Sequence, residues 1–200
     1  MRRTLTTAGM ILLTLALLLG GSPARAGSLT WEDPAGDAAP EGLPVPPLSE
    51  PAFDIVRSTI SSDGTTLVWK AEVPGLTAEP PPKATGMHFT FSFGFDGKSY
   101  RWVIAKDRLG AGGTTFYVAG DAGSDAVDCG KCVGKIDVEG KAVTITAPIA
   151  SMDRGIEGKF GPGSQMETIA AEAGRYYDAG VRYFPTDESA PAPAEGSFTV

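Results

Sequence analysis

Histidine and cysteine are scarce: the 200 residues hold one histidine and two cysteines. A single imidazole, His88, excludes a histidine-rich metal centre, and a serine–histidine–acid triad would have to use it. Catalytic signatures are missing as well. Gly161-Pro162-Gly163-Ser164-Gln165 does not have the Gly-x-Ser-x-Gly spacing of a nucleophile elbow. No Gly-x-x-x-x-Gly-Lys and no complete Gly-x-Gly-x-x-Gly is present, which argues against a bound nucleotide. Acids are so widespread that no glycosidase pair can be singled out. Long helix-forming stretches are scarce, there is no internal repeat, and no apolar run approaches the roughly 20 residues that cross a bilayer. These absences point to a non-catalytic chain.

The first 26 residues have the layout of a cleaved secretory signal. Arg2 and Arg3 form a positive start, Ala8 to Leu19 is apolar apart from Gly9 and Thr14, and Ala24-Arg25-Ala26 is a small-x-small cleavage pattern. No cysteine follows that would carry a bacterial lipid anchor. The expected organisation is a signal at 1–26 and a single secreted, extracellular domain at 27–200. The signal holds Arg2, Arg3 and Arg25 and no acid, so the remainder is more acidic than the whole chain's −7. Such a surface repels nucleic acid and anionic membranes and attracts cations, Ca²⁺ included. In an oxidising compartment Cys129-Gly130-Lys131-Cys132 reads as a loop-closing disulfide. The same spacing serves thioredoxin-like redox pairs, but those need the first thiol at a helix N-terminus, and Val133 to Val138 has a strand pattern.

Gly 26 and Pro 16 favour turns over long helices. Asp63-Gly64, Asp96-Gly97 and Glu139-Gly140 each sit between β-prone runs and read as hairpin turns. The flanking strands are Asp54–Ser61 with Thr65–Val73, Met87–Phe95 with Lys98–Lys106, and Val133–Val138 with Ala142–Ala147. Further strands are expected at Leu29–Trp31, Thr114–Val118, Val181–Phe184 and Ser197–Val200. Ala35–Pro51, Glu79–Pro82 and Asp187–Gly196 read as connectors. Glu167–Gly174 is the best helix candidate. The expected fold is all-β, a two-sheet antiparallel β-sandwich, jelly-roll-like, with at most one short helix. Alternation is clearest in Met87–Phe95, where Met87, Phe89, Phe91, Phe93 and Phe95 share a core face and His88 points the other way.

Trp31-Glu32-Asp33-Pro34-Ala35-Gly36-Asp37, then Pro51-Ala52-Phe53-Asp54-Ile55, a strand, an Asp-Gly turn and another strand, resembles the opening of DOMON-like β-sandwich domains. These are related to carbohydrate-binding module family nine and to the C-terminal domain of glucodextranase. The strand ending Ala147-Pro148-Ile149 and the segment Thr168–Tyr177 closing on Asp178 are similar too. The resemblance implies a secreted binding module for carbohydrate or a cell-envelope partner. It also implies an Asp at position 178 beside Asp33, Asp37 and Asp54. Oxygen ligands gathered by a glycine turn suit structural Ca²⁺, which takes about six to eight oxygens. The competing reading of these aspartates is turn-capping through backbone amides. Asp121–Asp128 is not an EF-hand, because loop position six is Ala126 and position twelve is Cys132. Haem is not expected, since Met87 and His88 face opposite ways on a strand.

Trp31, Trp69, Trp102, Tyr117, Tyr176 and Tyr177 are the aromatics a sugar would stack on. An exposed row of two or more would favour carbohydrate. Aromatics buried throughout would favour the alternative, an extracellular interaction or structural domain with no small ligand. Two close carboxylates in a cleft, or His88 beside a serine, would favour an enzyme.

Overall fold

The computed structural model describes residues 27–38, 51–81, 84–107, 114–119, 131–154, 156, 160–177, 182–188 and 197–200. They form two antiparallel sheets packed face to face. The first contains β1 (Gly27–Glu32), β2 (Arg57–Ser62), β3 (Thr66–Glu72), β7 (Val133–Asp137) and β8 (Ala142–Pro148), in the order β1-β2-β3-β8-β7. The second contains β4 (Gly86–Phe95), β5 (Lys98–Asp107), β6 (Thr114–Ala119), β9 (Gln165–Tyr177) and β10 (Arg182–Glu188), in the order β10-β9-β4-β5-β6. A short β11 (Phe198–Thr199) pairs with β9 and makes this sheet six-stranded. A 3-10 turn at Ile149–Arg154 follows β8. Among the described residues no helix is long and apolar enough to cross a membrane.

The turns form for different reasons. Asp96 and Gly97 both take positive φ, 51° and 72°, which is the backbone of a tight two-residue hairpin between β4 and β5. Between β2 and β3, only Gly64 is positive; Asp63 instead accepts the N–H groups of Thr65 and Thr66 at 2.8 and 2.7 Å. Between β7 and β8 the positive φ falls on Lys141 rather than on Gly140, whose N–H donates to Asp137 at 3.0 Å.

Period-two alternation supplies the core. Trp69 from one sheet stacks on Phe91 from the other, ring centres 5.5 Å apart, and Phe91 meets Trp102 at 5.4 Å. Phe89, Phe93, Tyr100 and Ile104 extend this layer, so the Tyr100–Trp102–Ile104 face of β5 is the inner one. Among the described residues seven aromatic side chains are fully buried, which removes large apolar areas from water and dominates the stabilising burial.

Two expectations are corrected. Glu167–Gly174 is not a helix but the middle of β9, the strand that pairs with β4. Its Ala and Glu residues favour helix locally, yet Met166, Ile169, Ala171 and Ala173 are needed on the core face, and sheet pairing overrides propensity. Phe53-Asp54-Ile55 is not in a strand; β2 begins only at Arg57. A bulge in β9 opposes Phe93: Ser92 pairs with Ala170 and Gly94 with Glu167, and Thr168 between them is left-handed at φ 50°.

Candidate functional site

The aspartate run lies where β1 leads out of its sheet. Asp33 N–H donates to the Val56 carbonyl at 3.1 Å, and Val56 N–H to the Glu72 carbonyl at 2.9 Å, so the segment before β2 is stitched to β1 and β3. Gly36 turns the chain at φ 87°, and its N–H is shared by both carboxylate oxygens of Asp54, each at 3.0 Å. Asp33 and Asp54 are buried and Asp37 is exposed. Asp178 lies outside the described residues, as does the Asp121–Asp128 loop. Among the described residues no three His, Cys, Asp or Glu side chains converge in a way that would hold a metal ion. The visible arrangement is a turn clamp, with Asp54 holding the loop after β1. As described, the residues do not make up a calcium ligand set.

Cys132 packs against the core and is not a free thiol. Cys129 and the signal residues lie outside the described residues. Trp31, Trp69 and Trp102 are all core side chains, and none of them forms an exposed stacking platform.

What sequence reasoning did not reach is the difference between the two outward faces. On the five-stranded sheet the outward positions form straight cross-strand rows. One row is Thr30, Thr59, Lys70, Thr144 and Lys135; the next is Glu32, Arg57, Glu72, Ala142 and Asp137. The hydroxyls of Thr30 and Thr59 lie 3.0 Å apart. Arg57 bridges Glu32 at 2.7 Å and Glu72 at 3.3 Å, Lys70 reaches Glu72 at 3.1 Å, and Lys135 reaches Asp137 at 2.7 Å. The Glu32 bond raises the Arg57 guanidinium above its ordinary value, and the Lys135 bond, with the Gly140 N–H, holds the Asp137 carboxyl below the usual carboxylate range. Almost every side chain here is half-buried or exposed, as expected of a solvated antiparallel face.

The six-stranded sheet is different. Its outward rows are Gly174, His88 and Ala105; Glu172, Thr90 and Val103; and Ala170, Ser92 and Arg101. His88 is only 3 % exposed and Thr90 only 5 %, with Gly86, Gly174, Val103 and Ala105 also buried. Towards the bulge the same face opens: Ser92, Gly94 and Ala170 are half-buried and Arg101 and Ser99 are exposed. Glu172, with its side chain 29 % exposed, stands at the border, and its Oε1 lies 3.6 Å from His88 Nε2. The face thus runs from a covered floor of small residues to an open polar half.

The orientation of His88 away from the phenylalanine face was readable from alternation. Its burial and its carboxylate neighbour were not, because Glu172 comes from a strand 84 positions later in the chain whose sequence favours helix. Ser92 shares the face but lies four residues along β4, about 13 Å away at roughly 3.3 Å per residue, so it is not a hydroxyl that His88 could activate.

Comparison of the chain with protein-family models, with curated proteins and with solved structures finds no match.

Proposed function

We propose that this chain is a secreted, non-catalytic β-sandwich binding domain whose ligand face is the outward side of the six-stranded sheet. The observation that carries this reading is the gradient on that face. Outward faces of antiparallel sandwich sheets are ordinarily solvated, and here one end is withdrawn over Gly86, Gly174 and Ala105 while Ser92, Arg101 and Glu172 stand at the open end. A floor of small residues with a few convergent polar groups is how binding sites are commonly built. Carbohydrate or a cell-envelope component is the ligand class that the DOMON-like motifs suggest.

A second reading, a protein-interaction domain with no small ligand, is supported by the tryptophans: all three are used in the core, which leaves no indole to stack on sugar. The test is to probe the mature protein on an array of soluble oligosaccharides and, in parallel, in pull-downs from the producing cell's envelope and medium. Binding that is lost in Ala170→Leu and Arg101→Ala, but kept in Thr59→Leu on the opposite sheet, supports this face. Binding indifferent to both face variants overturns it. Oligosaccharide binding favours the first ligand class, and capture of a single protein favours the second.

Two accessory features belong to the same proposal. The chain's two cysteines, with Cys132 not free, support a Cys129–Cys132 disulfide, which intact-mass measurement with and without reductant would check. Calcium would need oxygens from beyond the described residues, Asp178 among them. Thermal unfolding with Ca²⁺ and with chelator tests this, and coincident curves would leave Asp33, Asp37 and Asp54 as turn residues.

A further inference from the structure

We propose that β7 is a docking edge for a second copy of this chain, and that two copies join by antiparallel β7–β7 pairing, which runs their five-stranded sheets into one. This goes beyond the ligand face proposed above and does not depend on it.

β7 is the outermost strand of the five-stranded sheet and pairs with β8. Which of its backbone groups face outward follows from β8. Antiparallel neighbours alternate between opposed residues that exchange both hydrogen bonds and opposed residues that exchange none. Val73 N–H donates to the Lys141 carbonyl and Ile149 N–H to the Thr65 carbonyl, each at 2.9 Å. Odd-numbered residues of β8 therefore turn their backbone groups to β3, and Ala142, Thr144 and Thr146 turn theirs to β7. Their partners Asp137, Lys135 and Val133 are satisfied. Gly134 and Ile136 keep N–H and C=O groups aimed out of the sheet, and no described residue bonds to them there.

Edge strands are commonly protected by proline, a bulge or a lysine. β7 has no proline, its ladder with β8 runs without a register shift, and Lys135 is neutralised by Asp137 at 2.7 Å. Apolar exposure collects here as well. Among the described residues the large hydrophobic side chains left exposed are Val133, 61 % exposed, and Val138, just past the strand's end.

The occupant is a second copy because the strand complements itself. A two-fold axis at Ile136 pairs this residue with Ile136 of the second copy through both outward backbone groups. Lys135 then stands directly opposite Asp137 of the second copy, and Asp137 opposite its Lys135. These two pairs exchange no backbone bonds, so their side chains approach most closely. On the inner side of the joint Val138 comes towards Gly134 of the second copy, where no side chain opposes it. Full overlap of the two strands would instead set Lys135 against Lys135, a repulsive arrangement. The joint uses the edge alone, so both outward faces of each copy stay open.

The experiment is sedimentation equilibrium of the mature protein, from micromolar to about millimolar chain concentration because a strand-to-strand contact is small. The parent, Lys135→Glu, Asp137→Lys and the double exchange are compared. The expected result is a parent dimer, weakened at least about tenfold by either single change and restored to within about threefold by the double exchange. A parent that stays monomeric throughout, or a dimer indifferent to Lys135→Glu, overturns the proposal. Asp137 also accepts the Gly140 N–H, so should Asp137→Lys fail to fold, amide hydrogen exchange of the parent decides together with Lys135→Glu. Exchange at Gly134 and Ile136 that slows as concentration rises, against unchanged Val133 and Lys135, supports the edge. Exchange at Gly134 and Ile136 that ignores concentration overturns it.

Discussion

The two outward faces of this sandwich are built from the same alternation and do opposite things with it. On the five-stranded sheet, threonines, lysines and acids stand in rows, and the charges of Arg57, Lys70 and Lys135 are already matched by Glu32, Glu72 and Asp137. Such exposed pairs contribute little to stability, and a face whose charges satisfy one another has little left to offer a partner. On the six-stranded sheet the central outward residues are small or polar and are nevertheless withdrawn from water. An antiparallel sheet can solvate its outer side without penalty. A polar set that is removed from solvent costs desolvation, and such a cost is commonly retained where a site is held in shape. On the reading proposed above, this difference is a better guide to a binding face than any residue type taken alone.

The largest expected effect comes from breaking what the faces share. Phe91 stacks on Trp69 and meets Trp102 at a tilt, and Phe91→Ala should cost about 3–5 kcal/mol, read as a loss of denaturant midpoint that leaves the unfolding slope unchanged. Next is the direct comparison. Thr90→Lys forces a long side chain into a buried row of the six-stranded face and should cost about 1–3 kcal/mol, whereas Thr59→Lys on the five-stranded face should stay within about 0.5 kcal/mol. Similar losses at both positions would erase the distinction between the faces. Asp54→Ala removes the acceptor of the Gly36 N–H and should cost about 1–2 kcal/mol by thermal unfolding, equally in Ca²⁺ and in chelator if the clamp is purely a turn device.

The smallest effect concerns pH. The Thr65 N–H and hydroxyl, and then the Thr66 N–H, hold the Asp63 carboxyl below the usual carboxylate range. A carboxyl lowered in the folded state contributes stability that is present above its unfolded value and is lost as pH falls through its folded value. Asp63→Ala should therefore differ from the parent at neutral pH and converge with it in acid, as stability curves from neutral pH downward would show.

The sequence was informative where the signal was local. The Phe89–Phe91–Phe93 alternation and the Asp96-Gly97 turn identify β4, β5 and their hairpin within a residue or so, because period and turn chemistry are encoded in adjacent residues. β9 was hidden, because Glu167, Ala170, Ala171, Glu172 and Ala173 are good helix formers and what makes them a strand is β4, far away in the chain. The candidate site was hidden for the same reason. Alternation turned His88 outward, but only the β4–β9 register sets it near Glu172, and only packing makes the outward position a buried one. Of the aspartates read as calcium ligands or turn caps, Asp54 holds the Gly36 N–H, Asp33 is buried, Asp37 is exposed and Asp178 lies outside the described residues.

The strand orders have a kinetic meaning. Neither sheet is continuous along the chain: β3 must wait for β8, and β4 for β9, so one inner pairing of each sheet joins residues about 70 to 90 positions apart. Closing such long loops precedes any reward from the contacts they bring, which places folding in about the millisecond-to-second range typical of non-local β topologies. Until residues 165–177 arrive, the β4–β5 hairpin has an aromatic inner face and an open edge, a form that invites association with another chain.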